Sequence, residues 1–254
     1  MNRLDQKYLA TLSQLVELLK MAEGKYMVQV IDSHCVSGYR TLYLDTADNE
    51  MFIMHHNRRA VRQKVRVRTY LVGGDTYLEV KNKDNHGRTK KKRIRVFDSS
   101  EQDKAVKGDI IANLIERGGD DLLEKWAWYR LEQLSPKMQN LFERITLVNM
   151  AKTERLTIDC HVKFHHYDTG FDNTVDDLVI IELKRDGNVD SPVLDMMRKL
   201  RIRPSGFSKY CIGTVLTNPD IKQNNFRKKI RKIQKMTGRE VTGSIAPCRM
   251  TDNN

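Results

Sequence analysis

The stretch KVRVRT at residues 64–69 alternates cationic and β-branched side chains, one residue at a time. Because successive side chains of a β-strand point to opposite faces, residues two apart share a face. The sequence therefore predicts a strand whose cationic face carries Lys64, Arg66 and Arg68 and whose other face is largely apolar.

Four further segments repeat this plan, with one mostly charged face and one mostly apolar face: 78–83, 91–96, 155–159 and 179–184. Alternation alone is typical of an antiparallel sheet with one face on helices and the other in water, and this open sheet remains the alternative. Adjacent strands with like charges on one flat face repel each other, however. The pattern therefore favours a barrel that is charged inside and apolar outside, with helices packed on its outer wall.

The segments around these strands show no βα repeat and no glycine-rich nucleotide motif. Helical spacing and end signals predict helices at 12–21, 101–117, 120–134, 191–200 and 220–236. Aromatic and β-branched residues predict further strands at 26–31, 39–44, 144–148 and 210–215. The class is α+β with a mostly antiparallel sheet. We expect a single domain over residues 1–238, with a basic helix at 220–238 and a disordered tail at 239–254.

Positive charge is concentrated in two segments of this 254-residue chain, whose formal net charge is +12. Residues 58–95 hold 14 basic and three acidic residues, and residues 222–239 hold eight basic and no acidic ones. Such concentration predicts a polyanionic partner: nucleic acid, nucleotide, polyphosphate or a membrane surface. The four cysteines are scattered and no long apolar run or signal peptide is visible, so we expect a cytoplasmic protein without a membrane segment.

Three acids would share faces with these cations: Glu79, Asp159 and Glu182. Carboxylates combined with phosphate oxygens are a usual environment for Mg²⁺ or Mn²⁺. The alternative is that each acid pairs with a lysine or arginine. We favour ion pairing for Glu79, whereas the residues alone leave both interpretations open for Glu182.

Seven stretches, in order, resemble the VTC domain, the polyphosphate polymerase branch of the triphosphate tunnel metalloenzymes. They are YRTLYLDT at 39–46, HHN at 55–57, RQKVRVR at 62–68, EVKNK at 79–83, RLTID at 155–159, IIELK at 180–184 and SKY at 208–210. The resemblance implies an antiparallel eight-stranded β-barrel tunnel with a basic interior and helices packed outside. It also implies transfer of the γ-phosphoryl of ATP onto a growing polyphosphate chain, releasing ADP.

The resemblance implies roles for individual residues as well. The catalytic set would be Arg66, Arg68, Lys81 and Lys209. The phosphate-binding set would be Lys7, Lys64, Arg66, Arg68, Lys81, Lys91, Arg93, Arg144, Arg155, Lys184, Ser208 and Lys209. Glu182 would bind the metal, Mn²⁺ or Mg²⁺, and ATP and inorganic polyphosphate would be the partners.

Two other functions remain open at this stage. A related tunnel enzyme would hydrolyse tripolyphosphate or a nucleoside triphosphate instead of polymerising phosphate. A non-catalytic module would bind polyphosphate or RNA, although only Tyr70 and Tyr77 could stack on bases near the basic strands, so no nucleic acid is expected. Protein partners are left open. The basic helix after residue 220 would lie at a tunnel mouth and guide or block the product.

Overall fold

The computed structural model describes residues 3–101, 108–187 and 189–238. Its strands form one antiparallel sheet: β1 Arg3–Thr11, β2 Tyr26–Val28, β3 Val36–Asp45, β4 Arg62–Tyr70, β5 Thr76–Lys83, β6 Thr89–Phe97, β7 Ser135–Asn149, β8 Glu154–His166, β9 Asp172–Val175 and β10 Leu178–Asp186. The helices are α1 Leu12–Ala22, α2 Glu50–His56, α3 Ile110–Glu116, α4 Gly119–Trp126, α5 Pro192–Lys199, α6 Lys209–Thr217 and α7 Arg227–Thr237. None of the helices in these ranges is long and apolar enough to cross a membrane.

Eight strands form the main path of the sheet, in the order β1-β10-β8-β7-β3-β4-β5-β6, while β2 joins β7 and β9 joins β8. Strands β1 and β6 lie at the two ends, and no backbone pairing joins them within the described ranges. The free edge of β1 is covered by the segment before α6, where the Ser205 N–H donates to the Lys7 carbonyl at 2.7 Å. From the same segment, Ser208 contacts Lys64 of β4 across the interior at 2.9 Å. The sheet is therefore curled, and the predicted antiparallel α+β tunnel fold is confirmed.

The alternation of residues 64–69 is confirmed in β4. Val65 and Val67 are buried at 0% and 2% exposure, in a cluster that includes Leu114 of α3 and Leu123 of α4. A second cluster packs α1 and α5 on the same side of β1, β8 and β10. These two clusters hold four helices on the outer face of the sheet, as the pattern predicted, and leave the charged face turned inward.

Helix α6 corrects two expectations. Residues 210–215 were predicted as a strand but form a helix, whose N-cap Ser208 accepts from the Cys211 N–H at 3.2 Å. Every residue from Tyr210 to Thr217 is buried, so the segment has no amphipathic period to reveal it. In addition, α6 packs on the charged side of the sheet, against Tyr43 and Phe142, and fills one end of the curl.

Several boundaries also differ from the sequence predictions. The helix expected at 120–134 ends at Trp126, and β7 begins at Ser135. The helix expected at 220–236 begins at Arg227. In place of the helix expected at 101–117, a helix begins at Ile110, where the Asp109 side chain caps it, and ends at Glu116; residues 102–107 lie outside the described residues. The tail at 239–254 also lies outside them, and the single-domain boundary stays a prediction.

Candidate functional site

Strands β4, β5 and β6 form a cationic wall on the inner face. Directly opposite residues of antiparallel strands share a face, and Lys64 lies opposite Lys81, which lies opposite Lys91. In the next row, Arg66 lies opposite Glu79. This wall therefore holds three lysines and an arginine around one carboxylate.

The opposite wall comes from β1 and β10. Lys7 lies opposite Glu182, and Lys184 of β10 lies opposite Arg155 of β8. The Lys7 ammonium donates to the Phe207 carbonyl at 3.0 Å, which ties this wall to the segment before α6. The two walls face each other across the interior.

The N-terminus of α6 joins both walls. Ser208 accepts a hydrogen bond from the Lys64 ammonium, and the Lys209 ammonium forms an ion pair with Asp159 of β8. Arg144 of β7 also binds Asp159, through Nε at 2.6 Å and Nη2 at 2.8 Å. One helix end thus brings residues from three distant parts of the sequence to one point.

The structure brings together most of the residues implied by the family resemblance: Lys7, Lys64, Arg66, Arg68, Lys81, Arg144, Glu182, Ser208 and Lys209. Others lie further out. Arg155 and Arg93 are exposed, and the Arg93 guanidinium stacks on the Tyr77 ring at 4.3 Å. Lys91 is 41% exposed and contacts Glu79, while the Lys184 side chain is 25% exposed. These four residues lie at the rim of the cationic interior.

Two of the three inner acids have both carboxylate oxygens in ion pairs. Glu79 is 1% exposed and contacts Arg66 at 2.6 Å and Lys91 at 2.8 Å. Burial would raise its pKa, but the neighbouring guanidinium and ammonium groups lower it to about 2. Asp159 is held by Arg144 and Lys209, which lower its pKa despite burial. The ion-pair interpretation favoured for Glu79 is confirmed.

Glu182 differs from these two acids. Its nearest cation is the Lys184 ammonium at 3.6 Å, and its side chain is 22% exposed toward the interior. Burial opposes its ionisation, but Lys7, Lys184 and Lys81 outweigh burial and lower its pKa. The carboxylate is therefore ionised and accessible to a cation in the tunnel.

A divalent cation fits this arrangement in one way. Among the described residues, no group of three His, Cys, Asp or Glu side chains converges to hold a metal. Mg²⁺ commonly binds through one or two carboxylates while phosphate oxygens and water complete its shell. The Glu182 carboxylate fits that role, with the remaining ligands supplied by the substrate and solvent.

The inner cations exceed the inner acids, and most of them are only partly exposed, although Lys81 is exposed. Burial and like-charged neighbours lower the pKa of Lys81 and of Lys209 to about 8, although Asp159 partly opposes the shift at Lys209. Burial and the Arg66 guanidinium lower the pKa of Arg68 to about 10. The pKa of Lys64 is also lowered, mainly by burial. A bound polyanion would relieve this repulsion.

Sequence reasoning missed a buried network behind the site. The Tyr210 hydroxyl donates to the Asp45 carboxylate, which also accepts from the N–H groups of Met51 and Phe52 in α2. Tyr210 stacks on Tyr43 with ring centroids 4.8 Å apart. The network fixes the first turn of α6, which carries Lys209. Asp45 and Tyr210 are 165 residues apart, so only their presence in two family-like stretches could have linked them.

Comparison with known proteins agrees with this geometry. The family model described as VTC domain matches residues 2–218. No curated protein matches the sequence at a significant level. A candidate adenylyl cyclase from Hippeastrum, described as having a dominant triphosphatase activity, superposes with a TM-score of 0.54 at 15% identity, covering 84% of this chain and 94% of its own. A candidate adenylate cyclase from Bacillus halodurans gives a TM-score of 0.49 at 13% identity, covering 82% and 96%.

Proposed function

Because this chain belongs to the VTC domain family, we propose that it is a polyphosphate polymerase: it transfers the γ-phosphoryl of ATP onto inorganic polyphosphate and releases ADP. The observation that carries the proposal is the excess of cations over acids on the inner face, several of the cations having lowered pKa values. Phosphoryl transfer requires in-line positioning and stabilisation of charge on the equatorial oxygens more than it requires covalent chemistry from the protein.

Arg66 and Arg68 of β4 would bind the phosphate oxygens. Arg66 is oriented by Glu79, and the Arg68 Nε donates to the Thr41 hydroxyl at 3.1 Å. A guanidinium fork oriented in this way can bind two oxygens of one phosphate. Lys64 and Lys81 would supply point charges beside them. The site would thus be preorganised before substrate binds.

Lys209 would bind the phosphoryl group in transfer. Its side chain lies at the N-terminus of α6 and is 12% exposed, and its ammonium forms an ion pair with Asp159. As negative charge builds on the transferred group, this ammonium can donate to it while Asp159 and Arg144 keep it in place. Burial strengthens the interaction because little water screens it.

Glu182 would hold Mn²⁺ or Mg²⁺ on the opposite wall. A divalent cation there would neutralise phosphate charge and orient the leaving diphosphate. Lys7 and Lys184 flank this carboxylate and would contact adjoining phosphate oxygens.

The test is a reaction of the purified protein with ATP and Mn²⁺, with products separated on a gel stained for polyphosphate. We expect a ladder with ADP release. Glu182→Gln and Lys209→Gln should each lower the rate at least about a hundredfold, or about 3 kcal/mol in the barrier. Glu17→Gln and Lys20→Gln are matched controls on the exposed face of α1 and should keep full rate. Equal rates in all four variants would contradict the assigned roles.

Hydrolysis is the second candidate, because the Hippeastrum protein that shares this fold is described as a triphosphatase. The same inner charges would then hold tripolyphosphate or ATP for attack by water. Free orthophosphate without a ladder would support this candidate against the polymerase. Tight, salt-sensitive polyphosphate binding without any turnover would instead indicate a binding module.

A further inference from the structure

A row of aromatic rings leads from Lys209 to the rim of the tunnel. The Lys209 ammonium lies 4.1 Å from the centre of the Phe142 ring, and Phe142 stacks on Tyr39 with ring centroids 5.2 Å apart. The Tyr39 and Tyr70 centroids are 5.1 Å apart, and Tyr70 meets Tyr77 edge to face at 5.7 Å. Tyr70 and Tyr77 are both partly exposed, so a ligand can reach this end of the row from solvent.

Two inner arginines flank the middle of the row. The guanidinium carbons of Arg68 and Arg144 lie 5.9 and 4.9 Å from the centre of the Tyr39 ring. Tyr70 follows Arg68 on the same face of β4, roughly 7 Å further along the strand. This direction leads away from Lys64, which contacts the start of α6. A triphosphate held by the two arginines, with its terminal phosphate toward α6, would therefore direct its other end toward Tyr70.

Arg93 of β6 lies over the last ring of the row. Its guanidinium carbon is 4.3 Å from the centre of the Tyr77 ring, and its Nη1 donates to the Tyr70 hydroxyl at 3.4 Å. Glu79 is the acid directly opposite Arg93 on β5, but both of its oxygens pair with other cations. Arg93 is exposed. A guanidinium held over an aromatic ring presents a flat surface on which a nucleobase can stack.

We infer that Tyr70, Tyr77 and Arg93 form the binding site for the nucleobase of the ATP donor, with the base stacked on the Arg93 guanidinium at the rim. The inference rests on the proposed function, since it assumes a nucleoside triphosphate whose γ-phosphoryl lies at Lys209. Arg93 then contacts the base and not a phosphate. Stacking uses the flat face that every nucleobase has. Tripolyphosphate, which has no base, makes no use of this site.

The test compares two ligands by titration calorimetry at fixed salt: the β,γ-imido analogue of ATP and tripolyphosphate. EDTA is present to remove the divalent cation that turnover would need. Tyr77→Leu and Arg93→Gln should each weaken binding of the analogue about tenfold and change tripolyphosphate binding less than about threefold. Tyr77→Phe keeps the ring and should bind both ligands as wild type does. Lys92→Gln is the matched control, because this exposed lysine lies over the Trp126 ring at 4.3 Å, on the other face of β6.

The outcomes separate this inference from the proposed function. Equal weakening of both ligands by Arg93→Gln would overturn the nucleobase site, because this guanidinium would then contact phosphate. Unchanged binding of the analogue in Tyr77→Leu and Arg93→Gln would overturn it as well. In both cases, wild-type binding of tripolyphosphate would still support the proposed function. A wild-type protein that binds neither ligand would contradict the proposed function, and the nucleobase site would fail with it.

Discussion

Three carboxylates lie on one inner face, and their contacts divide them into two kinds. Glu79 and Asp159 have both oxygens in ion pairs, whereas the nearest cation to Glu182 lies 3.6 Å away. Glu79 and Asp159 therefore fix the positions of arginines and lysines, and Glu182 is accessible to a cation. The face pattern of the sequence grouped all three acids, and only side-chain geometry distinguishes them.

Glu79 should stabilise the folded protein in a pH-dependent way. Since folding lowers its pKa to about 2, its ionised form stabilises the folded protein above the unfolded-chain pKa of about 4.3, and this contribution is lost as the pH falls toward 2. Glu79→Gln should lower the free energy of unfolding at about pH 7 by on the order of 2–3 kcal/mol. The difference from wild type should shrink at about pH 3. Urea denaturation at the two pH values measures it. A difference independent of pH would contradict the ionic origin.

A second prediction concerns the affinity for phosphate at alkaline pH. Lys81 and Lys209 lose their charge as the pH rises through about 8. Burial would raise the pKa of Tyr43, but Arg66 and Lys64 lower it to about 8, so it becomes negative in the same range. Tripolyphosphate binding should therefore weaken above about pH 8, by up to roughly tenfold per pH unit for each of these groups that binding requires in its protonated form. Lys81→Gln should bind more weakly but with a flatter pH profile. Lys20→Gln is the control and should follow the wild-type pH profile. A wild-type affinity that stays constant across this pH range would contradict the loss of charge at Lys81 and Lys209.

At the scale of elements, α6 is the part on which the site depends most. Gly213 allows it to approach the sheet, because a Cβ there would lie 2.5 Å from the Phe164 ring and 3.0 Å from Met138. Alanine has a helix propensity about 1 kcal/mol better than glycine. Propensity and packing thus make opposite predictions for one substitution.

We expect packing to prevail. Gly213→Ala should lower the free energy of unfolding by about 1–3 kcal/mol, since neither the ring nor the strand can move away freely. Gly206→Ala is the control, because its Cβ would meet only the Lys229 amine, at 3.8 Å. Thermal unfolding of both variants measures the effect. A stabilised Gly213→Ala would mean that α6 is not seated closely on β7 and β8.

The sequence predicted the strands of this fold better than the helix that completes the site. The 64–69 alternation survives in β4 because one face meets the outer helices and the other meets the interior. Residues 210–215 have the composition of a strand, and total burial removes any helical period, so tertiary packing overrides local preference. The bond between Asp45 and Tyr210 has no local signal at all, because it joins residues far apart in the chain.

At the scale of the whole molecule, the curled sheet separates two kinds of surface. The outer face is stabilised by apolar burial under α1, α3, α4 and α5. The inner face concentrates cations whose mutual repulsion opposes folding when no anion is bound. The repulsion between the inner cations therefore offsets part of the stability that burial on the outer face provides.

This balance predicts a large, salt-dependent stabilisation by ligand. Tripolyphosphate at about 100 times its Kd should raise the free energy of unfolding by about 2.7 kcal/mol. The gain should shrink with added salt at constant ligand, because salt weakens binding to exposed and partly buried cations. The measurement is the thermal unfolding temperature with and without tripolyphosphate. NaCl at the same ionic strength, without tripolyphosphate, is the control. A shift that NaCl reproduces in full would argue against an anion site.

The proposed polymerase passes phosphate from ATP to a growing chain rather than to water. The most direct measurement is the ratio of free orthophosphate to ADP during turnover of ATP with Mn²⁺. We expect ADP to accumulate with little orthophosphate, while the missing phosphate appears as polyphosphate. One orthophosphate for every ADP, with no polymer, would contradict it.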